Sequence, residues 1–484
     1  THPDLGHCME CPRATRNSIA SLPPDYQTFI SAKLAAVPPV GIADEHRLIA
    51  GLFPHQESLV RWALRRGRAA IFADTGLGKT RMQTAWAQVV HAHTGGDLLI
   101  LAPLAVAQQT VAEAAECGVS ITHAHDASEV KPGINITNYD RLHKFDPSRF
   151  VGVVLDESSV IKHHTSKTLG ALLDAFSRTP YRLCATATPA PNDWTELGTH
   201  AEFLGIRTRA EMLAEFFVHD GGDTQTWRIK GHARAAFWRW VASWGVMLRS
   251  PADLGFDASA YALPPLKAYQ HTVESEHDQA ETGLLFAMEA ADLMERRNAR
   301  KSSLRARVDA CAQIVNASDE PWVIWCDLNA EGDALRNAIP DAVEIRGADD
   351  EPSKESKLHD FSFGRIRVLV TKASIAGWGL NWQHCRNVAF VGVTDSWESY
   401  YQAVRRCYRF GQTRAVNVHI FASEQEGSIV ANLKRKEADA KSMADALSAE
   451  VMSSVRAELL GQQRETNHYN ASTPIKIPSF LVTQ

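Results

Sequence analysis

A short apolar run, Ala69-Ala70-Ile71-Phe72, breaks into Ala73-Asp74-Thr75-Gly76-Leu77-Gly78-Lys79-Thr80, and a helix-patterned stretch follows from Arg81 to Val90. Strand, glycine-rich turn and helix in that order predict an α/β sheet. Gly76 and Gly78 allow backbone amides to curl around an anion. The start of the helix adds partial positive charge at the same place. The Gly-Lys-Thr ending narrows the anion to a nucleoside triphosphate, with Lys79 reaching its β- and γ-phosphates and the Thr80 hydroxyl ligating Mg²⁺. Thr75, Gly76, Leu77, Gly78, Lys79, Thr80 and Arg81 are therefore the expected nucleotide contacts. Ala73 stands where the usual first glycine would be, so an ordinary glycine turn is the competing reading.

A second element supports the first. Val151-Gly152-Val153-Val154-Leu155 reads as a buried parallel strand and ends in Asp156-Glu157. Carboxylates at the C-terminal end of a central strand sit where open α/β sheets bind ligands. Asp156 is the expected Mg²⁺ holder with Thr80, and Glu157 the group that polarises the attacking water. An acidic cap on the next helix is the alternative.

A chain of 484 residues, 45% hydrophobic, predicts two compact domains with additions. The net charge of −5 confines any nucleic-acid surface to a local groove. No apolar run approaches the ~18–20 residues of a membrane span, and no secretory signal is seen. The eight scattered cysteines fit reduced thiols and a cytoplasmic setting. Cys8 and Cys11, with His2 and His7, have the spacing of half a Zn²⁺ site; the missing second half favours a flexible tail. The chain begins at Thr1, as a processed or truncated N-terminus would.

Strand-like runs near 69–73, 97–102, 134–137, 151–155 and 181–187 alternate with helix-like runs near 55–66, 79–93, 104–116, 165–177 and 192–202. That alternation predicts a parallel sheet wound with helices. Residues 206–262 are irregular and rich in Trp, Phe and Arg, and 276–317 are helical and charged. A second block follows, with strands at 322–326, 342–345, 366–371, 387–393 and 416–421 and helices near 329–338, 353–362, 397–409 and 424–446. It has no phosphate loop, but it offers Gly377-Trp378-Gly379-Leu380-Asn381 and the arginine cluster from Gln402 to Gln412. A triphosphate held by one lobe and met by arginines of the other makes hydrolysis depend on closure. A solvated basic helix is the competing reading of the cluster.

These residues resemble the superfamily-two helicase-type ATPases, nearest the Swi/Snf-related branch of double-stranded DNA translocases. The resemblance covers most of 50–446 and rests on motif order. Phe53-Pro54-His55-Gln56 is similar to the adenine-reading motif, and Ala73–Thr80 to motif I. Leu99–Pro103 and Thr137-Asn138-Tyr139 resemble nucleic-acid-contacting motifs. Asp156–Lys162 resembles motif II, and Thr186-Ala187-Thr188-Pro189 motif III. Met247-Leu248-Arg249 with Leu263-Pro264-Pro265 resembles the link between lobes, Thr371-Lys372 through Asn381 motif V, and Gln402–Gln412 motif VI. The resemblance implies two RecA-like parallel-sheet lobes in tandem, with helical insertions and a helical C-terminal extension. It divides the chain into an extension (1–48), lobe one (49–205), a linking region (206–300), lobe two (301–446) and a tail (447–484). It implies ATP and Mg²⁺ as cofactors and DNA, double-stranded, as partner. Gln56, Gly379 and Gln402 join the nucleotide contacts, and Arg406 and Arg409 become arginine fingers beside the catalytic Lys79, Asp156 and Glu157. Pro103, Thr137, Asn138, Thr188, Thr371 and Lys372 become nucleic-acid contacts, although any single threonine reads more readily as an ordinary strand-end hydroxyl.

Ser158-Ser159 departs from the family's Ala-His, so coupling between ATP and nucleic acid is expected to be wired differently. The short spacer and the absence of a histone-reading module suggest a minimal monomeric motor of a bacterial cell or phage-infected host. Its expected partners are replication, repair or defence proteins. Arg296, Arg297, Arg300 and Lys301 form a basic stretch that either lines a DNA groove or faces solvent. Trp227, Trp238, Trp240 and Trp244, set among arginines, are expected to pack an added subdomain rather than to wedge into DNA. A strand-separating DNA or RNA helicase and a nucleotide-gated binding module of a larger assembly remain the alternatives to the translocase.

Overall fold

The structure, a computed structural model, describes residues 41–42, 46–103, 106–190, 193–220, 223–273, 302–376, 381–392, 396–423, 435 and 438. The zinc-spaced Cys8 and Cys11, the basic stretch at 296–301, Gly379, the helix expected at 424–446 and the tail lie outside the described residues.

Lobe one opens with α1 (Pro54–Arg66), β1 (Arg68–Ala73), α2 (Lys79–Thr94), β2 (Asp97–Ala102) and α3 (Ala107–Glu116). It continues through β3 (Ile121–His123), β4 (Ile134–Asn138), β5 (Phe150–Asp156), α4 (Lys167–Phe176), β6 (Tyr181–Thr186) and α5 (Leu197–Phe203). Short caps set the boundaries. Gly67, at φ 70°, ends α1 in the left-handed conformation and turns the chain directly into β1. Ser166 starts α4 by accepting the Leu169 amide. The strands pair in parallel in the order β3-β4-β2-β5-β6-β1, and β9 (Gly245–Leu248) completes a seven-stranded sheet. Their near-continuous apolar runs follow from burial on both faces, as parallel sheets require.

The boundary expected at 205 is too early. The chain leaves through α6 (Arg209–Phe216), the antiparallel hairpin of β7 (Phe217–Asp220) and β8 (Asp223–Ile229), and α7 (Arg234–Ala242). It then returns as β9 beside β1, with Phe72 opposite Met247. Four residues are too few to announce a strand by periodicity, and the aromatic excursion before them hides it. That excursion packs. Trp238 and Trp244 are fully buried, Trp238 lies edge-on to Trp194, and Phe237 joins Phe216 and Trp240.

Lobe two begins with β10 (Leu266–Val273), before the boundary expected at 301. Its residues are mostly exposed, so it lacks the apolar signature of the buried strands and reads as linker. Then come α8 (Leu304–Asn316), β11 (Trp322–Cys326), α9 (Asn329–Ala338), β12 (Ala342–Glu344), α10 (Glu351–Ser362), β13 (Val368–Lys372), α11 (Ala373–Ala376), β14 (Asn387–Phe390), α12 (Trp397–Val404) and β15 (Val416–Ser423). They form a six-stranded parallel sheet in the order β10-β15-β14-β11-β13-β12. Trp325 stacks on Trp382 in one core layer. In the other, the buried Arg307 of α8 pairs with Glu331 of α9 at 2.8 Å. Removing either partner would strand a buried charge, at a cost of about 3–5 kcal/mol.

Candidate nucleotide site and the nucleic-acid face

The phosphate loop leaves β1 and enters α2 at Lys79. Gly76 and Gly78 sit at φ 90° and 80°, where a side chain would be strained. Space excludes one as well: a Cβ at Gly78 would lie 2.2 Å from Gln56 Nε2, and one at Gly76 only 2.8 Å from the Phe410 amide nitrogen of lobe two. Gln56, the expected adenine reader, is tied to the phosphate loop. Its Nε2 donates to the Leu77 carbonyl at 2.9 Å and its Oε1 accepts the Phe53 amide at 3.0 Å. A carboxamide held by backbone on both ends braces the loop. Arg81 donates to the Gly51 carbonyl at 3.2 Å, which sets it toward the segment before α1. The aromatic rings of Phe53, Tyr261 and Phe410 cluster nearby, with Tyr261 and Phe410 4.7 Å apart.

Lys79 donates to the Ala73 carbonyl at 2.9 Å. Burial pushes its pKa down, while Glu157, Asp74 and Asp156 hold its charge. Glu157 is the one described non-glycine residue at positive φ, at 52°. Such a conformation costs on the order of 1–3 kcal/mol and marks a position the fold over-determines. Thr186 at the end of β6 donates to Glu157 Oε2 at 3.1 Å. Beside it, Asp156 Oδ1 accepts Gln83 Nε2 at 2.7 Å, and the Asp156 carbonyl accepts the Tyr139 hydroxyl at 2.7 Å. Burial, then the neighbouring Glu157, raises the Asp156 pKa above the usual carboxylate range. Two adjacent buried carboxylates facing one lysine suit a hard cation. The Asp156 carboxylate and the Thr80 hydroxyl are the oxygen donors that would hold Mg²⁺, and the ion would neutralise triphosphate charge there.

Lobe two closes the site with α12 and the turn after it. Arg406 is fully buried; its Nε donates to the Gln402 carbonyl at 3.0 Å and its Nη2 to Gln402 Oε1 at 2.9 Å. Gln402 therefore aims Arg406, and its own Nε2 is a buried donor with no partner among the described residues. That unmet donor fits a site awaiting an oxygen-rich ligand. Desolvation lowers the Arg406 and Arg409 pKa values to about 10, opposed in both by the Glu157 charge, so both guanidinium groups stay charged. Sequence reasoning missed the tie beside them. Tyr401 donates its hydroxyl to Asp74 Oδ1, and Arg405 pairs with Asp74 Oδ2 at 3.0 Å. Asp74 would repel a triphosphate, and Arg405 offsets that charge from the other lobe. The only signal was the i, i+4 spacing of Tyr401 and Arg405 on one helix face.

The six proposed nucleic-acid contacts divide. Pro103 and Asn138 line a cavity of about 300 Å³ at the ends of β2 and β4. Lys372 lines a smaller one, of about 140 Å³, at the end of β13. Thr371 is fully buried and donates to the Ile345 carbonyl at 3.3 Å, so its hydroxyl is spent inside the fold. Thr137 is also wholly buried in β4, although its hydroxyl has no partner among the described residues. Thr188 meets Glu398 of lobe two at 3.4 Å and serves the lobe contact in this arrangement. Thr371 and Thr137 correct the expectation, because a hydroxyl at a strand end of a two-sided sheet points inward as readily as outward.

Ser158, the first of the two serines that depart from the family pattern, meets His200 of α5. Nδ1 of His200 lies 3.3 Å from the Glu196 carbonyl and Nε2 3.2 Å from Ser158 Oγ. A carbonyl only accepts, so Nδ1 carries the proton and Nε2 accepts from Ser158. Burial lowers the His200 pKa to about 4. The unfolded chain protonates this imidazole near pH 6.5 and the folded chain holds out to about 4. Stability from this group is thus intact above pH 6.5 and falls as pH drops, by about 1.4 kcal/mol at pH 5.5. Asp156, with its raised pKa, acts in the opposite direction. Urea midpoints at pH 7.5 and 5.5 should therefore drop less in His200→Asn than in the wild type. An equal drop would place the acid sensitivity elsewhere.

The two sheets, the phosphate loop of one and the arginines of the other define a two-lobed ATPase. Residues 55–217 match the SNF2-related domain and residues 307–411 the helicase conserved C-terminal domain, together just over half of the chain. The chain belongs to the superfamily-two helicase-type ATPases, in the Swi/Snf-related branch. It is similar to the SWI/SNF-related matrix-associated actin-dependent regulator of chromatin subfamily A-like protein 1 of Xenopus laevis, at 22% identity over 78% of the chain and 42% of that relative. The Xenopus tropicalis protein of the same name gives 21% identity over 80% of the chain and 44% of its own length. The chain spans less than half the length of these curated relatives.

Proposed function

We propose that this ATP-dependent nucleic-acid motor couples hydrolysis to movement along double-stranded DNA. The observation that carries the reading is the approach of lobe two to lobe one: Arg409 and Phe410 lie against Gly76 of the phosphate loop, and the Glu157 charge acts on both Arg406 and Arg409. Hydrolysis then requires closure, and repeated closure moves two gripping lobes past one another along a backbone. Lys79 grips the phosphates, Glu157 polarises the water, and the two arginines stabilise charge on the transferring phosphoryl group. The named relatives, SWI/SNF-related regulators of chromatin, support a duplex as the track. Grip on phosphates carries no sequence information and weakens with salt. A triplex-displacement assay is the test. ATP-dependent release of the third strand, without sequence preference and steeply reduced by salt, is expected. Unwinding of forks with no third-strand release would replace translocation with strand separation.

A further inference from the structure

The cavity of about 300 Å³ beside Glu157 holds a group that the nucleotide chemistry does not use. Pro103, Asn138, Glu157, Ser159 and Lys162 line it. Ser159 is 1% exposed, and its hydroxyl has no hydrogen-bond partner among the described residues. A buried hydroxyl left unmet is costly, so its persistence points to a polar occupant. Lys162 does not meet that hydroxyl; its ammonium pairs with Glu398, a buried carboxylate on α12 of lobe two that Thr188 also contacts. A carboxylate bridging a lysine and a threonine occupies them as a phosphate oxygen would. The same helix carries Tyr401 and Arg405 to Asp74 in the phosphate loop.

Resting on the reading of the chain as a nucleic-acid motor, we propose that this cavity is a phosphate subsite in which Glu398 of lobe two stands in for a backbone phosphate until nucleic acid displaces it. Lys162 and Ser159 are its donors. Glu157 and the exposed Asp140 also line the cavity, so a phosphate enters only when Lys162 is released from Glu398 to balance it. Entry therefore breaks one tie between the lobes beside the water-polarising carboxylate.

Duplex DNA binding measured by fluorescence anisotropy across a salt series tests the subsite. Lys162→Gln should weaken binding about tenfold, the size of one charge-assisted hydrogen bond. It should also reduce the slope of log affinity against log salt by about one. Lys162→Arg should keep the wild-type slope. Glu398→Gln should do the opposite of Lys162→Gln and tighten binding, a gain that misfolding cannot produce. Ser159→Ala, the loss of a neutral donor, should weaken binding with the slope unchanged. A wild-type slope in Lys162→Gln, or weaker binding in Glu398→Gln, overturns the subsite while leaving the motor reading in place. Inhibition of ATP turnover by inorganic phosphate that is lost in Lys162→Gln, with DNA binding unchanged, would assign the cavity to released phosphate instead. A wild-type protein that binds no nucleic acid sinks the motor reading and the subsite with it.

Discussion

Glu157→Gln is expected to cut ATP turnover on the order of 10²–10³-fold while ATP remains bound. The reason is local. Glu157 is fixed by a left-handed backbone and by Thr186, so its carboxylate has little freedom to be replaced by a neighbour. The glutamine keeps size and hydrogen bonding but cannot take up charge from an attacking water. Lys79→Ala should differ in kind. It removes the one cation that Glu157, Asp74 and Asp156 hold in the loop, so nucleotide affinity should fall along with turnover. Equilibrium binding of a fluorescent ATP analogue, measured beside steady-state turnover, separates the two. Wild-type turnover in both variants would remove the assignment of this loop.

Alanine at Arg406 or Arg409 should lower turnover on the order of 10³-fold, the scale of an arginine finger, with a smaller change in nucleotide affinity. The two positions differ in support. Arg406 is clamped by both oxygens of Gln402, so lysine, a point charge without the planar fork, should rescue it poorly. Arg409 lies next to Phe410, whose amide approaches Gly76 of the phosphate loop, so its loss acts at the seam between lobes. Turnover near wild type in either alanine variant would remove that arginine from the reaction.

Much of this was legible because the chemistry sits at the ends of buried strands. Runs such as Val151–Leu155 announce a two-sided parallel sheet, and Asp156-Glu157 follows directly. What sequence hid were elements without an apolar period and contacts between distant segments. The exposed β10 and the four-residue β9 carry no periodic signal, so both lobe boundaries were misplaced. Asp74 with Tyr401 and Arg405, or Lys162 with Glu398, joins residues far apart in sequence, and no local pattern reveals such pairs. Thr371 and Thr137 misled for the converse reason: a strand-end threonine has the right chemistry for a phosphate, but its direction is set by the sheet.

The most direct measurement of the central claim is the ATPase rate with duplex DNA, single-stranded DNA and RNA compared at equal phosphate concentration. The motor reading expects duplex DNA to stimulate most, with a half-saturation concentration that rises steeply with salt. Stimulation by single-stranded DNA or RNA but not by duplex would contradict translocation on double-stranded DNA, and no stimulation by any of the three would make the chain a nucleotide-gated module instead of a motor.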